Sequence, residues 1–205
     1  MKTCEYSGVP FTEPRSHPWV DAASNPDCRY YDLTATPAHI RSSLEDFLPW
    51  SGYAAIEDFY LLLEQLNQPT SVFESNDCAF TGPHEPDQPM SAADFPAALE
   101  CSGRVMVLFR ELRQNTTKAR VESLTDQLHY ALEALDPDFP RAMIGTTLIP
   151  VRYLLLPDAE QRGWQLMISF WAWGDTVADN MATLGRLFKN LALALQTLSA
   201  RAAHP

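Results

Sequence analysis

The sequence predicts an α+β domain with an antiparallel sheet of about four strands, two helices before the sheet and a long C-terminal helix. Three observations support this class. Strand and helix patterns follow residue 70 in the order β-β-α-β-β-α, two earlier stretches have helical spacing, and the C-terminal stretch repeats apolar residues in heptads. Because a strand pair is followed by a helix twice, an antiparallel sheet with helices on one face satisfies the order most simply.

The first 35 residues differ in character from the remainder of the chain. They contain four prolines and five aromatic residues, and no helical or strand period runs through them. This composition predicts an irregular arm over residues 1–35, held by its aromatic side chains against a single α+β domain over residues 36–205.

Two helices are expected before the sheet. Thr36 followed by Pro37 is typical of a helix start, with threonine as the N-cap and proline at the first helical position. Pro49 ends this first helix. A second helix is predicted over about 53–67, and Pro69 stops it.

The β-β-α-β-β-α part is predicted in five segments before the last helix. Strands are expected over 70–81, 103–115, 142–156 and 162–174, and an amphipathic helix over about 117–135. Both faces of the 103–115 segment are largely apolar, which predicts a central position in the sheet.

The last helix is predicted to start near residue 175 or 176, and its apolar positions repeat at spacings of four and three. These positions are Val177, Met181, Leu184, Phe188, Leu191, Leu195 and Leu198. The favoured interpretation is a long helix lying across the chain's own sheet. The alternative is a homodimer that uses the 177–198 helix as a coiled-coil seam.

Charge is distributed very unevenly along the chain. The formal net charge is −11, and the interval between Arg41 and Arg104 contains eleven acids and no lysine or arginine. Those acids are Glu45, Asp46, Glu57, Asp58, Glu64, Glu74, Asp77, Glu85, Asp87, Asp94 and Glu100. Such a field repels nucleic acid and anionic membranes and attracts basic proteins, although acids can also serve solubility alone.

Targeting and cysteine signals favour a cytoplasmic protein with no membrane span, and the negative charge argues against binding to nucleic acid or anionic membrane. No stretch reaches the length of apolar sequence that a membrane span needs, and the N-terminal residues lack the apolar region of a secretory signal. The four cysteines are far apart in sequence and form no Cys-x-x-Cys pair, which predicts free thiols in a reducing compartment.

The segment 74–89, ESNDCAFTGPHEPDQP, holds the one arrangement that resembles a reactive site. A Cys78 nucleophile with His84 as its base is conceivable, but acidic neighbours raise a thiol pKa and no further metal ligand is near. Arg110 and Glu111 lie side by side in the predicted 103–115 strand, where an arginine could grip an anionic ligand or join an internal ion pair. No recognised catalytic or phosphate-binding motif is present, so we expect no catalytic residue, cofactor or metal.

The predicted function is therefore a non-enzymatic, acidic protein-interaction module for a basic protein partner. Inhibitors or immunity proteins of basic toxins have this character, and acidic chaperones of secreted proteins loosely resemble this mixture of sheet and long C-terminal helix. The expected partner-binding residues are Glu45, Asp46, Glu57, Asp58, Asp77, Glu85, Asp87, Trp171 and Trp173. The alternative is a small-ligand-binding domain or small enzyme with a pocket under the 82–96 loop, using Cys78, His84, Arg110 and Glu111.

Overall fold

The structure is a computed structural model that describes residues 1–5, 15–18, 32–42, 49–86 and 96–203. The strands in these ranges are β1 (Lys2–Glu5), β2 (Arg15–His17), β3 (Phe73–Phe80), β4 (Leu99–Phe109), β5 (Ala142–Tyr153) and β6 (Arg162–Gly174). The α-helices are α1 (His39–Ser42), α2 (Ala54–Asn67), α3 (Lys118–Leu135) and α4 (Val177–Ala203). Short 3-10 helices cover Leu112–Thr116 and Asp158–Glu160.

The predicted β-β-α-β-β-α order after residue 70 is confirmed, and so is the long C-terminal helix. The hydroxyl of Thr176 accepts a hydrogen bond from the Asp179 amide at 3.2 Å, and this cap fixes the start of α4. Of the predicted first helix, α1 is described. The rest of that prediction, over 43–48, lies outside the described residues.

The expectation of a purely antiparallel sheet of about four strands is wrong. The sheet has six strands in the order β1-β5-β6-β4-β3, and β2 also pairs with β5. Both β1 and β2 run parallel to β5, whereas the other pairs are antiparallel. These two strands come from the region predicted as an irregular arm. Strands of four and three residues are too short for an alternating pattern to appear in the sequence.

The helices pack on one face of the sheet around a single apolar core. Leu166, Ile168 and Phe170 of β6 face this core, and Phe188 of α4 meets Phe170 edge to face at a ring separation of 5.1 Å. The heptad positions of α4 from Met181 onward are at most 2% exposed. The heptad spacing is therefore explained by packing on the chain's own sheet.

The second face of the sheet is concave, because the sheet curls and brings its two edges together. A flat sheet would separate β2 from β3 by four strand spacings, or about 19 Å. Nevertheless, Arg15 of β2 lies 2.6 Å from Asp77 of β3, and His17 lies 3.0 Å from Glu74. The strand order therefore bends until its two ends come within reach of each other's side chains. Apolar residues fill the concave face: Met106, Leu108, Ile149, Val151, Tyr153 and Met167.

Strand β4 is central, as predicted, but it ends at Phe109 and not near residue 115. The cause is the side chain of Asn115, which is fully buried. Its amide donates to the Phe109 carbonyl at 2.8 Å and its oxygen accepts from the Phe109 amide at 2.9 Å. The Asn115 side chain therefore binds the backbone groups of Phe109 that a neighbouring strand would otherwise bind. The chain then turns into the 3-10 helix over Leu112–Thr116.

Candidate functional site

Two acids of α2, the exposed Glu57 and the half-buried Glu64, are compensated by one arginine. The guanidinium of Arg41 donates to Glu57 at 2.9 Å and also to both oxygens of Glu64. The hydrogen bonds from Arg41 lower the pKa of the Glu57 carboxyl. Such exposed pairs add little stability, but they cancel charge that would otherwise face solvent.

A third acid of α2, Asp58, lies at the junction with α4. It is 8% exposed, and its Oδ2 is 3.3 Å from the ammonium nitrogen of Lys189. That oxygen has no hydrogen bond of good geometry. Asp58 therefore contributes to the contact between two helices and offers little carboxylate surface to a partner.

Asp77 lies in the concave face and not on the outer surface. Its Oδ2 accepts from Arg15 at 2.6 Å and from Arg104 at 3.1 Å. The side chains of Asp77 and Arg15 are only 10% and 12% exposed. Burial lowers the pKa of Arg15, although the nearby carboxylate acts in the opposite direction. This carboxylate joins two arginines across the curl.

Next to Asp77, a chain of polar groups crosses the concave face. Gln165 donates to the Met106 sulfur at 2.9 Å, and its oxygen accepts from the Asn76 amide at 2.9 Å. The Asn76 oxygen is then the acceptor for Nδ1 of His17 at 3.2 Å, while Nε2 of His17 lies 3.0 Å from Glu74. Each group in the chain has a partner, so the arrangement holds the curl closed.

The two tryptophans expected to bind a partner differ in burial. Trp173 is 1% exposed, and its indole nitrogen donates to Glu100 at 2.8 Å. Trp171, two residues earlier on the same face, is half-buried. Trp173 therefore belongs to the interior, and Trp171 is the one with accessible surface.

The remaining nominated acids divide into two groups. Glu85 is exposed. Glu45, Asp46 and Asp87 lie outside the described residues. The described acids of the 42–103 interval are thus mostly tied to groups of the chain's own fold.

Cys78 and His84 do not meet. Cys78 pairs with Val105 on β4 and His84 with Glu100, and these partners are five residues apart on one strand. The separation along the strand is about 17 Å, so no proton can pass between the two side chains. Burial and the Asp77 charge raise the pKa of Cys78 to about 12, which keeps it a thiol.

Arg110 and Glu111 also form no joint site. Arg110 donates to the Gln68 carbonyl at 2.8 Å, and Glu111 accepts from Gln114 at 2.7 Å. Both residues follow the end of β4 rather than lying within it. They link the β4 exit to the end of α2 and to the following 3-10 helix.

Neither a metal cluster nor a membrane span is found in the part of the chain that the structure describes. No group of three or more histidine, cysteine or acidic side chains is suitably placed to hold an ion there. None of the helices among these residues is both long and apolar enough to cross a bilayer.

An acidic surface on α3 was not predicted from the sequence. It consists of Tyr130, which is 72% exposed, with Glu122, Asp126 and Glu133 exposed around it, and we call it the α3 acidic face. Glu122 pairs with Lys118 of the same helix at 2.8 Å. Within the described residues, no basic side chain forms an ion pair with Asp126 or Glu133.

A groove of about 260 Å³ adjoins this face, between α3 and the edge of β5. Glu5 lines it from β1, while Lys118, Glu122 and Asp126 line it from α3. His129, just inside, is half-buried and bonds the Thr146 hydroxyl at 2.9 Å. Burial lowers the pKa of His129, so the imidazole stays neutral near neutral pH and does not offset the carboxylates.

The sequence contained a signal for this face. Residues 121–138 include five acids and no lysine or arginine. Tyr130 is two positions after the buried Leu128, which on a helix points it away from the apolar stripe. A large aromatic on the polar side of an acidic helix is the pattern that identifies the surface.

Comparison of this chain with known protein families, with curated proteins and with solved structures finds no match.

Proposed function

We propose that the protein is a non-enzymatic interaction module that binds a basic protein partner. It would act in the manner of an inhibitor or immunity protein of a basic toxin, or of a chaperone. The observation that carries the proposal is the α3 acidic face, where the Tyr130 ring is 72% exposed beside Asp126 and Glu133. Glu122 of this face pairs with Lys118, whereas Asp126 and Glu133 form no ion pair with a basic side chain in the described fold.

The physical roles of the two components differ. Carboxylates of one sign speed the encounter with a basic protein and orient it, while an aromatic side chain supplies apolar area that a partner can bury. The groove offers the carboxylates of Glu5 and Asp126, on opposite sides, to a lysine or arginine side chain, while Glu122 in the same groove is already paired with Lys118. Together these features suit a partner with basic side chains around an apolar recess.

The predicted partner-binding residues differ in how much of their surface a partner could reach. Glu85 is exposed and extends the negative field, whereas Glu57 is exposed but paired with Arg41. Three of the predicted residues are nearly buried and bonded within the chain, so in the proposal they stabilise the fold and do not contact the partner: Asp58, Asp77 and Trp173. In the proposal, Trp171 adds half-buried aromatic area, and Glu45, Asp46 and Asp87 belong to the same acidic interval.

The proposal sets this interaction in the cytoplasm and involves no cofactor. Cys4, Cys78 and Cys101 are free thiols in the structure. Free cysteines at this sparse spacing suit a reducing compartment.

The alternative, a small ligand under the 82–96 loop, has less geometric support. The pair that would do its chemistry, Cys78 and His84, is separated by about 17 Å along the strands. Arg110 and Glu111 are each engaged with neighbouring chain. Residues 87–95 of that loop lie outside the described residues.

The test is capture of a partner from lysate of the source organism, with the purified protein as bait and elution in salt steps. We expect a stoichiometric basic protein that is released at moderate salt. The variant Glu122→Gln/Asp126→Asn/Glu133→Gln/Tyr130→Ala should fail to capture it. No capture at low salt, or capture that is indifferent to both salt and the variant, would contradict the proposal.

A further inference from the structure

His129 lies just inside the α3 acidic face and is titratable, which makes it a candidate for regulating that face. It is half-buried, and its Nε2 lies 2.9 Å from the hydroxyl of the buried Thr146 on β5. Asp126 precedes it by three positions and Glu133 follows it by four, so both carboxylates share its side of the helix. Histidine is the side chain whose charge ordinarily changes between about pH 5 and 8.

Within the described residues, the charged groups that influence the pKa of His129 are three acids. Asp126 and Glu133 act from α3, and Glu5 acts from β1 on the other side of the groove. Strand β5 contributes the hydroxyl of Thr146, which carries no charge. Burial lowers the pKa of His129 and is the largest effect, whereas the three carboxylates raise it. The imidazole is therefore neutral at neutral pH, and the carboxylates beside it favour the cation once the pH falls.

The contact between His129 and Thr146 can be kept in both protonation states. The Thr146 hydroxyl also lies 3.4 Å from the carbonyl oxygen of Cys4 on β1, to which it can donate. A neutral imidazole can either accept the hydroxyl hydrogen at Nε2 or donate to the hydroxyl oxygen. A protonated imidazole can only donate, and the hydroxyl hydrogen then goes to Cys4. Protonation therefore adds a positive charge to the face without breaking the link between α3 and β5.

We propose that His129 is a pH sensor of the α3 acidic face, whose protonation in mildly acidic solution weakens the binding of a basic partner. This inference rests on the proposed function of the same face. A cation at His129 lies among three carboxylates, so it offsets negative charge there and repels the lysine or arginine side chains of the partner. Glu122 does not replace the lost attraction, because it is paired with Lys118.

A basic partner and a proton at His129 oppose each other, so each lowers the affinity of the protein for the other. Binding of the partner is therefore strongest above the pKa of His129 and weakens as the pH falls through that value. Reciprocally, a bound partner lowers the pKa of His129 further. Measurements above about pH 5.5 stay clear of the range in which carboxyl groups ordinarily titrate.

The experiment uses a synthetic oligolysine peptide as the probe, with titration calorimetry at low salt at about pH 7.5 and about pH 5.5. We expect wild type to bind the peptide about threefold more weakly at the lower pH, which is the size of one exposed charge interaction. His129→Gln keeps a neutral hydrogen-bonding side chain, so it should bind like wild type at the higher pH and lose this pH dependence. His39→Gln removes a half-buried histidine of α1 and should keep the wild-type pH dependence.

NMR titration of the assigned His129 ring protons in wild type tests the same coupling without a substitution. We expect the free protein to show a pKa below the ordinary histidine value, and the oligolysine complex to show a still lower one. Equal pH dependence in wild type and His129→Gln, or a pKa of His129 that oligolysine does not change, would overturn this inference and leave the proposed function standing. No binding of oligolysine at about pH 7.5 would overturn the proposed function and this inference with it.

Discussion

Helices α2 and α3 lie on the same face of the sheet, on either side of α4, and both present acidic residues outward. Their carboxylates nevertheless have different surroundings. Those of α2 meet Arg41 and Lys189. Those of α3 at Asp126 and Glu133 meet no base in the described fold and surround an exposed tyrosine. The pairing of acids, more than their number in a sequence interval, therefore decides where this protein presents negative charge.

The largest effect should come from removing a paired, nearly buried acid. Asp77→Ala leaves Arg15 and Arg104 facing each other across the curl without their shared carboxylate. We expect a loss of about 3 kcal/mol in the free energy of unfolding, because breaking a buried ion pair strands its charges. Urea denaturation monitored by circular dichroism measures this difference.

The matched substitution is Asp126→Ala on α3, where the side chain is exposed and has no ion-pair partner within the described fold. It should change the free energy of unfolding by at most about 0.5 kcal/mol. Equal losses for Asp77→Ala and Asp126→Ala would remove the distinction between structural and outward-facing acids.

A further effect is expected from removing the exposed aromatic ring of Tyr130. Tyr130→Ala should leave the melting temperature unchanged, because the ring is 72% exposed, and should weaken binding of the captured basic partner about thirtyfold. Titration calorimetry against the purified partner measures the change. Leu155→Ala, which removes a 70% exposed leucine beyond the end of β5, is the control and should bind like wild type. If both variants bind equally well, Tyr130 is not an anchor.

A smaller effect is expected at Asp136, where α3 ends. Its carboxylate accepts from Arg186 at 2.6 Å and 2.8 Å and from Asn190 at 2.8 Å. These bonds, those from Arg186 foremost, hold the pKa of Asp136 below its ordinary value. Asp136→Asn should therefore lower the free energy of unfolding by about 1 kcal/mol at neutral pH.

The pH dependence of that loss has a definite sign. A carboxyl whose pKa is lowered by folding stabilises the fold above its unfolded pKa of about 4, and this contribution disappears as the pH falls through the lower folded value. The difference between wild type and Asp136→Asn should thus be full at neutral pH and shrink in denaturation series below about pH 4. Asp138→Asn, two residues on and exposed, is the control. A difference that grows on acidification would contradict this account.

The long, strongly patterned elements were predictable from the sequence, and the short ones were not. Strand β6 has the predicted bounds, and α3 begins one residue later than predicted, because alternation and helical spacing persist there over many residues. The strands β1 and β2 give no such pattern. The early end of β4 depends on the side chain of Asn115, which no periodicity reveals.

The candidate site was less accessible to sequence reasoning. The curl of the sheet depends on contacts such as Arg15 with Asp77, which are 62 residues apart in the chain. These contacts bury the Asp77 carboxylate, so it does not face solvent. Trp173 was expected to bind a partner, but it is 1% exposed and its indole nitrogen donates to Glu100. The position of Tyr130 on the polar side of α3 follows from helical spacing, but this helix lies outside the base-free 42–103 interval on which the predicted binding surface rested.

The salt dependence of binding to the captured partner should be measured for three proteins. These are wild type, Glu122→Gln/Asp126→Asn/Glu133→Gln on α3, and Glu57→Gln/Glu64→Gln/Glu160→Gln, which removes three acids paired with arginine. Both variants lose the same charge. We expect only the α3 variant to bind at least about tenfold more weakly and to lose most of its salt dependence. Equal weakening of the two variants, or weakening confined to the paired-acid variant, would contradict it.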